Sequence, residues 1–103
     1  MLNPEPPVVP LTFRGSMRAG AFTAQLFVEL AVTPQMLTLS AMGRSFRIER
    51  PHLLAIEETS ILGILKRGIR FRHNQPDLPS TIIFYPSHSR EFVRQRIHEL
   101  GWS

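Results

Sequence analysis

Between Phe22 and Val32 the chain alternates with period two. Phe22, Ala24, Leu26, Val28, Leu30 and Val32 take turns with Thr23, Gln25, Phe27, Glu29 and Ala31. Successive strand residues point to opposite faces, so a run this long with period two predicts a long β-strand with one face on a core. The pattern continues beyond it. Thr33-Pro34-Gln35 reads as a turn, with Pro34 presetting its φ. Leu37, Leu39 and Ala41 alternate with Thr38 and Ser40 as a second strand. Gly43-Arg44 then makes a tight connection, and Phe46 and Ile48 mark a third strand, closed by Pro51.

The rest of the chain follows the same logic. His52 to Glu57 is read as a strand with Leu54 and Ile56 on one side. Strands at Ile61–Leu65 and Ile69–His73 are joined by Lys66-Arg67-Gly68, a three-residue hairpin loop with its glycine in the left-handed conformation. Asn74 to Ser80 is a longer loop, and Thr81–Tyr85, β-branched and aromatic, is a buried strand. After Pro86 the period changes: Ser87 caps a helix whose apolar positions are Phe92, Val93, Ile97 and Leu100. Gly101 stands where a left-handed C′ residue belongs, letting Trp102 fold back over Ile97. Residues 11–20 are ambiguous, because Leu11 and Phe13 suit a short strand while Gly15 and Gly20 suit turns. Residues 1–10 form a proline-rich lead, and 11–103 a single domain.

The expected class is therefore mainly β: a partly open barrel of about seven antiparallel strands capped by a C-terminal α-helix. This order resembles the pleckstrin-homology (PH) superfold, nearest its GRAM-like and bacterial PH-like branches. The residues carrying the likeness are the long strand from Phe22, Leu37-Thr38-Leu39, Phe46-Arg47-Ile48, Leu54-Ala55-Ile56-Glu57, Gly68-Ile69-Arg70-Phe71-Arg72-His73, Ile82-Ile83-Phe84 and the closing helix. The resemblance implies a binding scaffold without catalysis. In phosphoinositide-binding members the first hairpin loop carries a basic cluster. Here that loop is Thr33-Pro34-Gln35, with no cation in or beside it, so those residues have no counterpart.

Composition narrows the chemistry. With no cysteine in 103 residues there is no disulfide framework, thiolate nucleophile or thiolate metal site. His52, His73, His88 and His98 have no metal-ligand spacing, Asp77 is the only aspartate, and neither a G-x-S-x-G elbow nor a glycine-rich phosphate loop is present. The expectation is a protein that is not an enzyme, with no metal and no cofactor. No stretch reaches the roughly 18 uninterrupted apolar residues of a membrane-spanning helix. Glu5 and the prolines stand where a signal peptide would be basic and then apolar, so a cytoplasmic protein is expected.

The formal charge is +4, and every cation but Lys66 is arginine, a side chain whose fork suits carboxylate and phosphate. The densest cluster is Lys66, Arg67, Arg70, Arg72 and His73, interleaved with Ile69 and Phe71. As a strand it turns Arg70 and Arg72 outward and the apolar pair inward. It reads as an anion- or partner-binding ridge, or as a solvated face that guards a strand edge. Arg90, Arg94 and His98 form a basic row on the helix, diluted by Glu91 and Glu99, which can pair with Arg94 and Arg96. Phe27 and Tyr85 point away from the core-facing sets of their strands. Exposed, they mark an interface; under a curled sheet, they are covered. The functional expectation is an interaction module that binds an acidic protein segment or self-associates. The alternative is nucleic-acid or anionic-lipid binding through residues 66–73.

Overall fold

The computed structural model describes the backbone of residues 9–61 and 65–102 and the side chains of residues 9–60 and 67–102. Seven strands form one sheet: β1 (Leu11–Ala19), β2 (Phe22–Val32), β3 (Met36–Ala41), β4 (Arg44–Glu49), β5 (Leu53–Ile61), β6 (Leu65–His73) and β7 (Ile82–Pro86). A single turn of 3-10 helix, Arg50–His52, joins β4 to β5, and α1 (Arg90–Glu99) closes the chain. The strand order is β4-β3-β2-β1-β7-β6-β5, antiparallel at every pairing. The protein is thus mainly β, a curled half-barrel with one C-terminal helix, as the alternation predicts.

Curling is visible where strands that are not neighbours meet. The rings of Phe22 on β2 and Phe46 on β4 pack edge-on at 5.6 Å, and the Arg44 guanidinium lies over them at 4.7 and 5.1 Å. Inside the curve lie Met17, Leu30, Val32, Leu37, Leu39, Ile48, Ile69, Phe71, Ile82 and Phe84, all fully buried. Gly15 is needed for closure. A Cβ there would stand 2.1 Å from the Tyr85 carbonyl oxygen, so only glycine lets β1 approach β7.

The helix lies across the half-barrel, packed on β6 and β7. Val93 and Ile97 are buried beneath it, each worth about 1.5–3 kcal/mol of transfer free energy. Gly101 has φ 92° and its N–H bonds the His98 carbonyl at 2.9 Å, which turns Trp102 back into the core. The Trp102 Nε1–H donates to the Thr33 carbonyl at 2.8 Å. Arg50 joins the same end. It donates to the Pro34 and Gly101 carbonyls at 2.7 and 2.6 Å and lies 5.5 Å from the Trp102 ring centroid.

The structure departs from the sequence pattern in several places. Of the ambiguous stretch 11–20, Leu11–Ala19 is strand β1, Gly15 included, and Gly20 opens the two-residue turn Gly20-Ala21. Lys66-Arg67-Gly68 is no loop but part of β6. Gly68 is there because the Tyr85 ring lies over it, 2.7 Å from where a Cβ would be. The strand expected at Ile61–Leu65 falls largely outside the described residues. The β3–β4 turn is Met42-Gly43, since Ala41 pairs with Arg44. A register shift between Leu53 and Ala55 changes the phase of β5, so Leu53 and Ile56 pack on the core and Leu54 is exposed. The helix is capped by Ser89, whose Oγ accepts the Phe92 N–H at 3.3 Å, and Phe92 is exposed. Leu26 leaves the core set altogether.

Candidate functional site

Leu26 is displaced by a bulge. Gly15 pairs with Val28 and Met17 with Ala24, so Ser16 alone on β1 faces Gln25, Leu26 and Phe27 on β2. The two extra residues loop outward. Leu26 is 70% and Phe27 90% exposed, and Phe27 has φ 60°. Left-handed backbone costs an L-residue with a bulky side chain about 1–2 kcal/mol. Among the described residues the other non-glycine at positive φ is Met42, at φ 52° and 77% exposed. It opens a two-residue turn, where asparagine or glycine is the comfortable choice. These two strained, exposed apolar residues line one depression of about 400 Å³ on the outer face of the sheet, with Glu29, Ser40, Arg44 and Ser45. A second depression of about 450 Å³ on the other side of Phe27 is lined by Arg14, Gln25, Leu26, Arg67 and Tyr85.

Charge is distributed unevenly over this surface. Arg67 pairs with Glu91, Arg72 with Glu57 at 3.5 Å, Arg94 with Glu58 at 2.9 Å and Arg96 with Glu99 at 3.2 Å. Arg90, its side chain only 9% exposed, pairs with Glu58 at 3.3 Å and donates to the Thr59 carbonyl at 3.1 Å. Glu91 therefore binds Arg67 and Arg90 (3.7 Å), and not Arg94. Its own backbone N–H and the Ser89 hydroxyl, with lesser help from the two guanidinium charges, hold its carboxyl below the ordinary range. Arg14, Arg18, Arg44, Arg47 and Arg50, and half-buried Arg70, have no ion pair among the described residues. On β1–β4 the arginines, Arg14, Arg18, Arg44 and Arg47, outnumber the two acids, Glu29 and Glu49; Glu29 stands opposite Arg14 in register and lines the depression of Phe27 and Met42 together with Arg44.

The members of the 66–73 cluster are spread over different tasks. Lys66 lies on β6, but its side chain falls outside the described residues. Arg67 ties β6 to the helix, and Arg72 ties it to β5. Arg70 faces Glu57 and Ile83 across the sheet, with a buried Nε that has no hydrogen-bond partner. His73 turns into the loop after β6. Its Nδ1 accepts the Gln75 N–H at 3.0 Å, so Nε2 carries the proton and donates to the Pro79 carbonyl at 2.7 Å. One signal for the bulge stood in the sequence: Leu26-Phe27-Val28 is three apolar residues in a row, where alternation should forbid it. The Arg96–Glu99 pair follows from helical spacing, but nothing local announces the pairs of Arg67 and Arg72, because their acids come from α1 and β5.

No protein-family model, curated protein or solved structure matches this chain. No helix among the described residues is long and apolar enough to cross a membrane.

Proposed function

We propose that the chain is a non-catalytic interaction module, PH-like in the order of its strands and helix, that binds an acidic segment of another protein on the outer face of β1–β4. One observation carries the reading. Among the described residues, both non-glycines at positive φ are large, apolar and exposed, and they share a depression. Folding is better served by asparagine or glycine at each, so an apolar side chain held there at a cost has its use outside the fold. Arg14 and Arg44, nearest the pair and without an ion pair among the described residues, supply attraction for an acidic partner against the one carboxylate beside them, Glu29, and fix its orientation. An anion site at Lys66, Arg67, Arg70, Arg72 and His73 has thinner support, since Glu91 and Glu57 already engage Arg67 and Arg72.

The test uses a fluorescein-labelled glutamate-rich peptide with one central leucine, and the same peptide with serine in its place. Anisotropy should report binding of the leucine peptide, weakening with salt as the exposed arginines are screened. It should be lost in Phe27→Asn and weakened in an Arg14→Ser, Arg44→Ser double variant. Equal binding by wild type and Phe27→Asn would overturn the assignment. A loss confined to neutral substitutions at Arg67, Arg70 and Arg72 would move the site to β6.

A further inference from the structure

The two edges of the sheet are β4 and β5, and each is partly blunted by a side chain. On β5 the Thr59 carbonyl is taken by Arg90. On β4 the agent is Gln75, from the loop after β6. Its Oε1 accepts the Glu49 N–H at 2.8 Å and its Nε2 donates to the Arg47 carbonyl at 3.0 Å. A residue on a strand running parallel to β4 would make this same pair of bonds, to the carbonyl of one residue and the amide two further on. The glutamine amide imitates one unit of a missing eighth strand.

The imitation covers only half of the edge. Ala41 pairs with Arg44 across the two-residue turn, so Arg44, Phe46 and Ile48 direct their backbone groups at β3, and Ser45, Arg47 and Glu49 direct theirs outward. Gln75 satisfies Glu49 and the Arg47 carbonyl. The Ser45 amide and carbonyl and the Arg47 amide face away from the sheet, with no partner among the described residues. The open half adjoins the depression of Phe27 and Met42, which Ser45 and Arg44 also line.

We infer that the β4 edge is a strand-addition site: an extended acidic segment of a partner pairs with Ser45 and Arg47 and displaces the Gln75 side chain to continue along Glu49. The inference rests on the reading given under Proposed function and supplies its backbone mode. The acidic character of the occupant follows from Arg44 and Arg47, both exposed on this strand and both lacking an ion pair among the described residues, against the single carboxylate Glu49 at the strand's far end. Displacement costs little in structure. Gln75 stands in a loop whose own fixings, His73 to Pro79 and the Asn74 N–H to the His52 carbonyl at 3.0 Å, do not depend on its side chain.

The leucine-bearing glutamate peptide tests it in two ways. Gln75→Ala, checked for intact far-ultraviolet dichroism, should bind roughly five- to tenfold more tightly, the factor equivalent to about one net hydrogen bond no longer competed for. In the wild-type protein, which needs no variant, the Ser45 and Arg47 amides should slow in hydrogen exchange on adding the peptide. N-methylation of alternate peptide amides should abolish that slowing. If the peptide binds and Phe27→Asn abolishes it, yet those amides exchange unchanged and Gln75→Ala has no effect, strand addition is wrong and the outer-face reading stands. If no variant binds the peptide, both fall.

Discussion

Replacing Phe27 should raise stability when the new residue is at ease in left-handed backbone, and only then. The ring is 90% exposed, so its removal forfeits about a tenth of the 1.5–3 kcal/mol that full burial of a phenylalanine brings, roughly 0.2 kcal/mol. Against this stands the cost of φ 60° for an L-residue, about 1–2 kcal/mol. Asparagine recovers much of that cost without glycine's extra freedom in the unfolded chain, so Phe27→Asn should gain about 1 kcal/mol. Phe27→Gly recovers all of it and gives back about 0.5–1 kcal/mol in entropy, for a net gain of about 0.5 kcal/mol. Phe27→Ala keeps the strain and should lie within about 0.3 kcal/mol of wild type. The ranking is Asn, Gly, then Phe and Ala together. Urea denaturation reads it as a shift in midpoint at constant m, and thermal melting as about 4–8 °C per kcal/mol for a domain of this size. If alanine stabilises as much as asparagine, the gain comes from removing an exposed ring and the strain argument fails. If asparagine destabilises by about 1 kcal/mol or more, Phe27 has a packing role and is no site for a partner.

Met42→Asn creates an Asn-Gly turn and should raise the urea midpoint by a gain of about 0.5–1 kcal/mol; a loss would show that the Met42 side chain supports the fold. Gly15→Ala sets a Cβ against the Tyr85 carbonyl and should cost more than about 3 kcal/mol or prevent folding, whereas an intact melt would mean β1 and β7 can separate. Trp102→Phe removes the donor to the Thr33 carbonyl and should cost about 1–3 kcal/mol in urea, including the carbonyl left unpaired. The Glu91 carboxyl is held below its ordinary range, so its stabilising effect is full above that range and lost as pH falls through the depressed value. The urea midpoint of Glu91→Gln should therefore lie below wild type at neutral pH and converge with it only under acid, and a gap that persists there would refute the linkage.

How much of this was legible depended on whether the signal was local. The β2–β3–β4 meander is written in an alternation that survives folding: Val28, Leu30, Val32, Leu37, Leu39, Phe46 and Ile48 are all core. The Gly101-Trp102 closure is equally local, set by one left-handed residue. The bulge at Gln25–Phe27 and the phase change at Leu53–Ala55 were not read, because a strict period hides the insertions that shift it. Lys66-Arg67-Gly68 imitates a turn, while its glycine answers to Tyr85 seventeen residues on. Phe27 is legible as an interface marker once exposed, whereas Met42 and the arginines around it are not, for a related reason. A basic run in sequence is not a basic surface when Glu57 and Glu91 arrive from elsewhere, and scattered Arg14, Arg18, Arg44 and Arg47 outnumber Glu29 and Glu49 once the sheet brings their strands together.

Chemical-shift mapping tests the central claim most directly. The isotopically labelled protein is titrated with the leucine-bearing glutamate peptide, and the amide resonances are followed. The account predicts the largest changes at Arg14, Leu26, Phe27, Met42, Gly43, Arg44 and Ser45. Changes concentrated on residues 67–73, or saturation with none at Phe27 and Met42, would contradict it.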